Sequence, residues 1–394
     1  MSGAKKPETL AVHAGSRLLG SRTVDLVAPL HLSSVGYFDS AEELDASLDG
    51  KDFVYTRIRG QNAVLLEEAV AALEGAELAC AFGSGMAALR ALWDAQGLKA
   101  KDKVVMGADG YGATRALYKV LAARSGVELH ALLLSAKDAP ERVAELRPRF
   151  VLAESVTNPL LSVPDLPALA KAAHGVGAAF AVDGTFSSPV LQRTLEQGAD
   201  YALQSSTKWI NGHSDATGGT VAGSAERIRP LQAARVLEGA LLGPFEAWLT
   251  LRGLRTLCVR MRAHSQHALA VAESLAQDAR VTRVLYPGLP SHPDAAVARR
   301  LLSHGFGGMV AFEVAGGGRA EVFRFLERVK LARPAPTLGD VATLVMHPAS
   351  AAARRMTAEE RTAAGITENL VRVSVGLEDP EDIVQDLLQA VAGR

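Results

Sequence analysis

Ser205-Ser206-Thr207-Lys208-Trp209, read with the upstream run Ala178-Ala179-Phe180-Ala181-Val182-Asp183, decides the fold. A short apolar run that ends in an acid reads as a buried parallel strand delivering a side chain to a site. The lysine follows three hydroxyl residues, just beyond a second strand-like run at Tyr201 to Gln204. A lysine that can form an imine, hydroxyls that can hold a phosphate and an acid that can pair a pyridinium nitrogen together point to pyridoxal phosphate.

Working outward, short apolar runs alternate with helical stretches at Lys103 to Met106, Glu128 to Leu134, Phe150 to Ala153, Ala178 to Asp183, Tyr201 to Gln204 and Thr220 to Ala222. Such alternation predicts an α/β fold with a mostly parallel sheet covered on both faces by helices. A helix is expected from Asn62, with Val64, Leu65, Ala69, Ala72 and Leu73 on one face and Gly75 ending it. Residues 1–60 lack sustained periodicity and read as an extended arm. The stretch 225–285 reads as mainly helical. After Tyr286-Pro287-Gly288, strands are expected at Met309 to Val314 and Leu370 to Val375, in a smaller α+β domain. The resulting division is an arm at 1–60, a large domain at 61–248 and a small domain at 249–394.

A chain of 394 residues exceeds one ordinary core, so two domains sharing a site are expected. The 42 basic and 43 acidic residues leave a net charge of -1, which provides no footprint for nucleic acid or an anionic membrane. Arg252, Arg255, Arg260 and Arg262 alternate with leucines and read as the solvated face of an amphipathic helix. Cys80 and Cys258, the two cysteines, lie far apart and outside any metal-binding spacing, so neither a disulfide framework nor a metal site is expected. Residues 1–15 lack the apolar core of a signal peptide, and no apolar run approaches a membrane span. The expected location is the cytoplasm.

The turn Phe82-Gly83-Ser84-Gly85-Met86-Ala87-Ala88 precedes a helix, and its small residues let backbone N–H groups approach a phosphate. It matches neither GxGxxG nor GxxxxGK[ST], and Phe82 stands where a GxSxG elbow needs glycine, which weakens the nucleotide-binding and serine-hydrolase readings. Tyr111-Gly112 and Asn158-Pro159 each follow a strand-like run. Four strand ends thus present Tyr111, Asn158, Asp183 and Lys208 in order, on the edge where such sheets bind ligands.

The chain resembles the Cys/Met-metabolism family of pyridoxal phosphate enzymes, whose members include cystathionine γ-synthase, cystathionine lyases, methionine γ-lyase and O-acyl-homoserine sulfhydrylases. The resemblance rests on an ordered series from about residue 8 onward. It includes Tyr55-Thr56-Arg57, Leu73-Glu74-Gly75, Ser84-Gly85-Met86-Ala87, Tyr111-Gly112, Thr157-Asn158-Pro159, Val182-Asp183, Ser205 to Asp215, Leu338-Gly339-Asp340, His347-Pro348-Ala349-Ser350 and Arg372-Val373-Ser374-Val375-Gly376. It implies fold type I (aspartate aminotransferase-like) and a role for each residue. Lys208 holds the cofactor and moves protons, Asp183 pairs the pyridine nitrogen, Tyr111 stacks on the ring and Asn158 bonds its oxygen. Gly85, Met86, Ser205 and Thr207 hold the phosphate, completed by Tyr55 and Arg57 from a neighbouring subunit, which implies a homotetramer built from dimers. Arg372 clamps the substrate carboxylate, with Thr337 beside it. The implied reaction is γ- or β-elimination on a sulfur-containing L-amino acid such as cystathionine or methionine, giving a 2-oxo acid, ammonia and a thiol. The alternative is γ-replacement, joining an O-acyl-L-homoserine to cysteine or sulfide.

Several positions depart from the family pattern. Gly60-Gln61-Asn62 replaces Asn-Pro-Thr, Gly184 replaces an asparagine, Thr337 replaces a serine, and Ala352-Ala353 replaces Thr-His. Ala113 stands in place of the cysteine of methionine γ-lyases, and Pro336 in place of the glutamate of many cystathionine γ-lyases. The departures leave two readings from other classes open. One is a non-catalytic descendant of the fold. The other is a nucleotide-binding dehydrogenase, suggested only by the sheet type and Gly83/Gly85.

Overall fold

The valine-, alanine- and phenylalanine-rich runs form the sheet because each strand has two apolar faces to bury. In this computed structural model, which describes residues 5–16, 25–48, 52–351, 353–354 and 356–393, the large sheet has seven strands. They are β1 (Leu78–Phe82), β2 (Lys103–Gly107), β3 (Glu128–Leu132), β4 (Phe150–Glu154), β5 (Ala179–Asp183), β6 (Tyr201–Gln204) and β7 (Gly219–Gly223). Their spatial order is β1-β7-β6-β5-β4-β2-β3, and β7 alone runs against its neighbours. Successive residues face opposite layers. Val104, Met106, Phe150, Leu152 and Ala181 join one buried cluster, and Val105, Val151, Ala153, Phe180 and Val182 join the other.

The small sheet has the order β10-β11-β12-β9-β8, built from β8 (Val281–Leu285), β9 (Met309–Val314), β10 (Arg333–Pro334), β11 (Leu344–Met346) and β12 (Leu370–Ser374). Arg372 lies on central β12, paired with Met346 on one side and Ala311 on the other.

Four expectations change. β1 was not anticipated, because Leu-Ala-Cys-Ala-Phe carries little β-branching; its antiparallel pairing with β7 makes it a strand. The stretch 225–285 is mainly helical as expected but ends five residues early, where β8 begins, its Thr282 and Arg283 exposed as befits an edge. The expected extended arm contains two helices, Pro7–His13 and Ala41–Leu48. The expected boundary at 248/249 falls inside helix Pro244–Leu254, which packs on helix Gln61–Glu74 of the large domain. The next helix, Leu257–Ala276, contacts β8 and β9.

Helix Gln61–Glu74 ends as expected at Gly75, whose φ of 71° is open to glycine. Its departure at 60–62 has a structural use. Buried Asn62 accepts from His31 N at 2.9 Å and donates to Pro29 O at 2.8 Å, fastening the arm to the helix. Ala352 lies outside the described residues.

Candidate active site

The carboxyl ends of β2, β4, β5 and β6 face a cavity of about 660 Å³, closed on its far side by the small domain. Tyr111, Asn158, Asp183, Ser205, Thr207 and Lys208 line it from the large domain. Gly85 and Met86 stand at its floor, and Thr337 and Arg372 come from the small domain. Ten of the twelve residues singled out from the sequence therefore converge. Tyr55 and Arg57 do not: both are exposed, and Arg57 Nη1 donates to Val236 O at 2.8 Å.

Lys208 Nζ donates to Thr337 Oγ1 at 2.7 Å. Burial, then the nearby Arg372 charge, pushes its ammonium down to about 8, so a neutral amine is accessible near physiological pH. Asp183 accepts from Thr185 N at 2.9 Å. Burial holds its carboxyl above the usual range, against the pull of the Thr185 hydrogen bonds. Glu154 pairs in register with Asp183 across β4 and β5 and is raised well above its ordinary value, first by burial and then by Asp183. Its two oxygens accept from Tyr111 N at 2.6 Å and Asn158 N at 3.0 Å. Glu154 therefore sets both loops that carry cavity residues.

Arg372 is 3% exposed. Its Nη1 donates to Asn158 Oδ1 and its Nη2 to Thr337 O, each at 2.9 Å, while Nε is buried without a partner. All these partners are neutral, so a buried guanidinium faces the cavity with its charge uncompensated. Anion capture is the chemistry such a group offers.

Helix Gly85–Asp94 begins at the cavity floor, capped by Ser84, whose hydroxyl accepts from Ala87 N at 3.1 Å. A Cβ on Gly85 would stand 3.1 Å from Ser205 Cβ, and one on Gly219 only 2.5 Å from Ser84 O. The close approach exposes backbone N–H groups at a positive helix end, a cradle that fits a phosphate. The buried acid, the lysine and this cradle together fit pyridoxal phosphate. Thr207 is the exception in placement. Its hydroxyl donates to Gly218 O at 3.1 Å and so has no hydrogen left for a phosphate unless it turns.

Two contributors were not legible in the sequence. Arg260, expected on a solvated face, is buried and donates to Trp209 O at 2.7 Å, Ile210 O at 3.2 Å and Gly253 O at 2.7 Å. It thereby fixes the turn immediately after Lys208. Glu154 was not singled out; its place at a strand end, four residues before Asn158, is the signal that could have found it.

This sheet, this second domain and this set of groups at the strand ends define a fold-type-I pyridoxal phosphate enzyme. Comparison with known proteins makes the assignment specific: the family model for the Cys/Met metabolism PLP-dependent enzymes matches residues 8–392, and the chain belongs to that family. It is 39% identical to an O-succinylhomoserine sulfhydrylase of Pseudomonas aeruginosa, over 98% of this chain and 95% of the relative. It is 40% identical to an L-methionine gamma-lyase of Fusobacterium nucleatum subsp. polymorphum, with 97% of each covered. The crystal structure of a cystathionine gamma synthase from Xanthomonas oryzae pv. oryzae, in complex with aminoacrylate and cysteine, superposes with a TM-score of 0.92, at 38% identity and 99% coverage of both chains.

Proposed function

We propose that the protein removes the Cγ (or Cβ) substituent of a sulfur-containing L-amino acid such as cystathionine or methionine by elimination, giving a 2-oxo acid, ammonia and a thiol. The observation that carries this is the convergence of Lys208, Asp183 and Arg372 on one cavity. The bound cofactor supplies an electron sink for the negative charge left when the substrate loses its α-proton.

This chain's residues do the rest. Arg372 holds the substrate carboxylate with its paired N–H groups and so fixes which Cα bond faces Lys208. Lys208 would hold the cofactor, and its nitrogen would take the substrate's Cα proton and return it further along the substrate. Its lowered pKa suits a base working near neutrality. Asp183 keeps the cofactor's ring nitrogen protonated. Tyr111, at the cavity wall, would hold the cofactor's ring and assist the departing group, and the amide nitrogen of Asn158 would be free to hold the ring's oxygen. Gly85, Met86 and Ser205 would hold the phosphate, joined by Thr207 once its hydroxyl turns from Gly218 O, and Thr337 steers the lysine. Exchange of the acyloxy group of an O-acyl-L-homoserine for cysteine or sulfide, a γ-replacement that releases the free acid, is the second reading; it would use the same residues, and this chain is similar to relatives of both kinds.

In this reading the working protein is a homotetramer built from two dimers, in the cytoplasm. Its support is the arm, where Leu26 (92% exposed), Leu32 (70%) and Tyr37 (92%) stand bare in a single chain. A second copy is the occupant that gives them cover and brings Tyr55 and Arg57 to a phosphate site.

The test is product identification from L-cystathionine, L-methionine, L-cysteine and O-acetyl- and O-succinyl-L-homoserine, each with and without sulfide or cysteine. Oxo acid and ammonia without a thiol establish elimination; a thioether or homocysteine formed only with the nucleophile establishes replacement. Lys208→Ala removes both outcomes and the visible absorbance of the cofactor; an unchanged spectrum in that variant overturns the role of Lys208.

A further inference from the structure

The cavity holds a second arginine that none of the roles above uses. Arg354 follows the turn Pro348–Ser350 and lines the cavity together with Ser350 and Ala351 of the same segment. It is exposed, and its guanidinium forms no ion pair or side-chain hydrogen bond with any described residue. The nearest part of the wall offers no counter-charge either. The cavity's carboxyls are Glu154 and Asp183, both at the strand ends, where backbone N–H groups occupy them. Pro336, on the small-domain side, is uncharged. Arg372 occupies the buried end on β12 and Arg354 the exposed rim, so one cavity has a cation at each of two depths.

A cation left unpaired in a cavity raises the local concentration of anions and rewards a ligand that neutralises it. If Arg372 takes the α-carboxylate, the part of the substrate beyond Cγ runs toward the rim. We propose that Arg354 binds a second carboxylate, and that the preferred substrate is an L-amino acid whose Cγ substituent ends in one. The proposal rests on the reading of this cavity as an amino-acid site but is indifferent to whether the reaction is elimination or replacement. Each mode offers its own matched pair: L-cystathionine has a distal carboxylate and L-methionine lacks it; O-succinyl-L-homoserine has one and O-acetyl-L-homoserine lacks it.

The experiment measures kcat/KM for both pairs in the wild-type holoenzyme, Arg354→Gln and Arg354→Lys. The expected result is that Arg354→Gln lowers the ratio of carboxylate-tailed to neutral-tailed substrate about five- to tenfold within whichever pair reacts, chiefly through KM, as for loss of a partly exposed ion pair. Arg354→Lys restores most of it. Displacement of the cofactor's absorbance by a dicarboxylate series, from succinate to suberate, gives a readout without turnover; tighter binding of one chain length in wild type, lost in Arg354→Gln, is expected. An unchanged ratio in Arg354→Gln, or a wild-type preference for the neutral-tailed member, overturns the proposal while leaving the reaction assignment intact. Absence of turnover on every compound, with cofactor bound, instead overturns the functional reading, and the dicarboxylate titration still decides Arg354.

Discussion

Lys208 Nζ and Thr337 Oγ1 meet at 2.7 Å across 129 residues of sequence, one following β6 of the large sheet and the other rising from the small domain. The same threonine's carbonyl accepts from Arg372 Nη2 at 2.9 Å. One residue therefore couples the lysine to the buried guanidinium that lowers its pKa, and each domain supplies half of the arrangement.

Reloading of the cofactor onto cofactor-free protein requires a neutral Lys208 amine. Its ammonium is destabilised by burial and Arg372, so the reloading rate is expected to rise with pH and level off above about 8. Thr337→Val removes an acceptor that favours the ammonium and shifts this rise to lower pH; Thr337→Ser leaves it in place. Stopped-flow absorbance across pH 6 to 10 checks both.

Arg372→Lys keeps a charge but loses the paired N–H geometry toward a carboxylate. Catalytic efficiency is expected to fall by about 100-fold, the order of magnitude for a buried charged pair, with cofactor content unchanged. Loss of the cofactor together with activity, read by absorbance, contradicts a role confined to substrate.

Glu74 is fully buried; Gln204 Nε2 donates to one oxygen at 2.8 Å and the other has no partner. Burial pushes its carboxyl up to about 7, so the native protein holds this proton more tightly than the unfolded chain does. Its contribution to stability is thus greatest at low pH and is lost as pH rises from about 4.5 through about 7. Glu74→Gln is expected to stabilise the protein by about 2 kcal/mol at pH 8, with a gain that vanishes toward pH 5. Denaturant melts at the two pH values decide it.

Gly184 replaces the family's asparagine, and the structure supplies a reason. A Cβ there would stand 2.5 Å from Gln204 Nε2, the donor to Glu74. Gly184→Asn is expected to cost about 2 kcal/mol through overpacking and the displaced hydrogen bond. Adding Gln204→Ala should return part of the steric loss, and a double-mutant cycle in urea reads the coupling.

Leu32→Glu with Tyr37→Glu places charge on the bare apolar arm. Light scattering is expected to show smaller species than wild type, with weaker cofactor retention, if the proposed assembly brings Tyr55 and Arg57 to a neighbour's phosphate site. An unchanged mass contradicts assembly through the arm.

Lys208, Asp183, Tyr111, Asn158 and Arg372 were legible because each sits at a fixed offset from an apolar run, and a parallel sheet brings such strand ends to one edge whatever the loops do. Arg260 and Glu154 were less so. Whether an arginine is solvated or spans three carbonyls depends on what packs over its helix, which local alternation of Arg and Leu does not encode. β1 failed for a related reason: a weakly β-forming run becomes a strand only when a partner supplies the ladder, whereas β8, rich in Val and Thr, was absorbed into the end of the helical stretch before it.

Sequence alone determined the cofactor class and the order in which the strand ends present Tyr111, Asn158, Asp183 and Lys208 to one cavity, because periodicity and residue chemistry are local properties. Only the tertiary structure decided that Lys208 meets Thr337, that Arg372 is buried among neutral partners, that Tyr55 and Arg57 stand away from their own cavity, and that Arg354 reaches the rim. Those facts depend on burial and charge at distances of 100 residues or more along the chain, where each group's energy is set by neighbours it acquires only on folding.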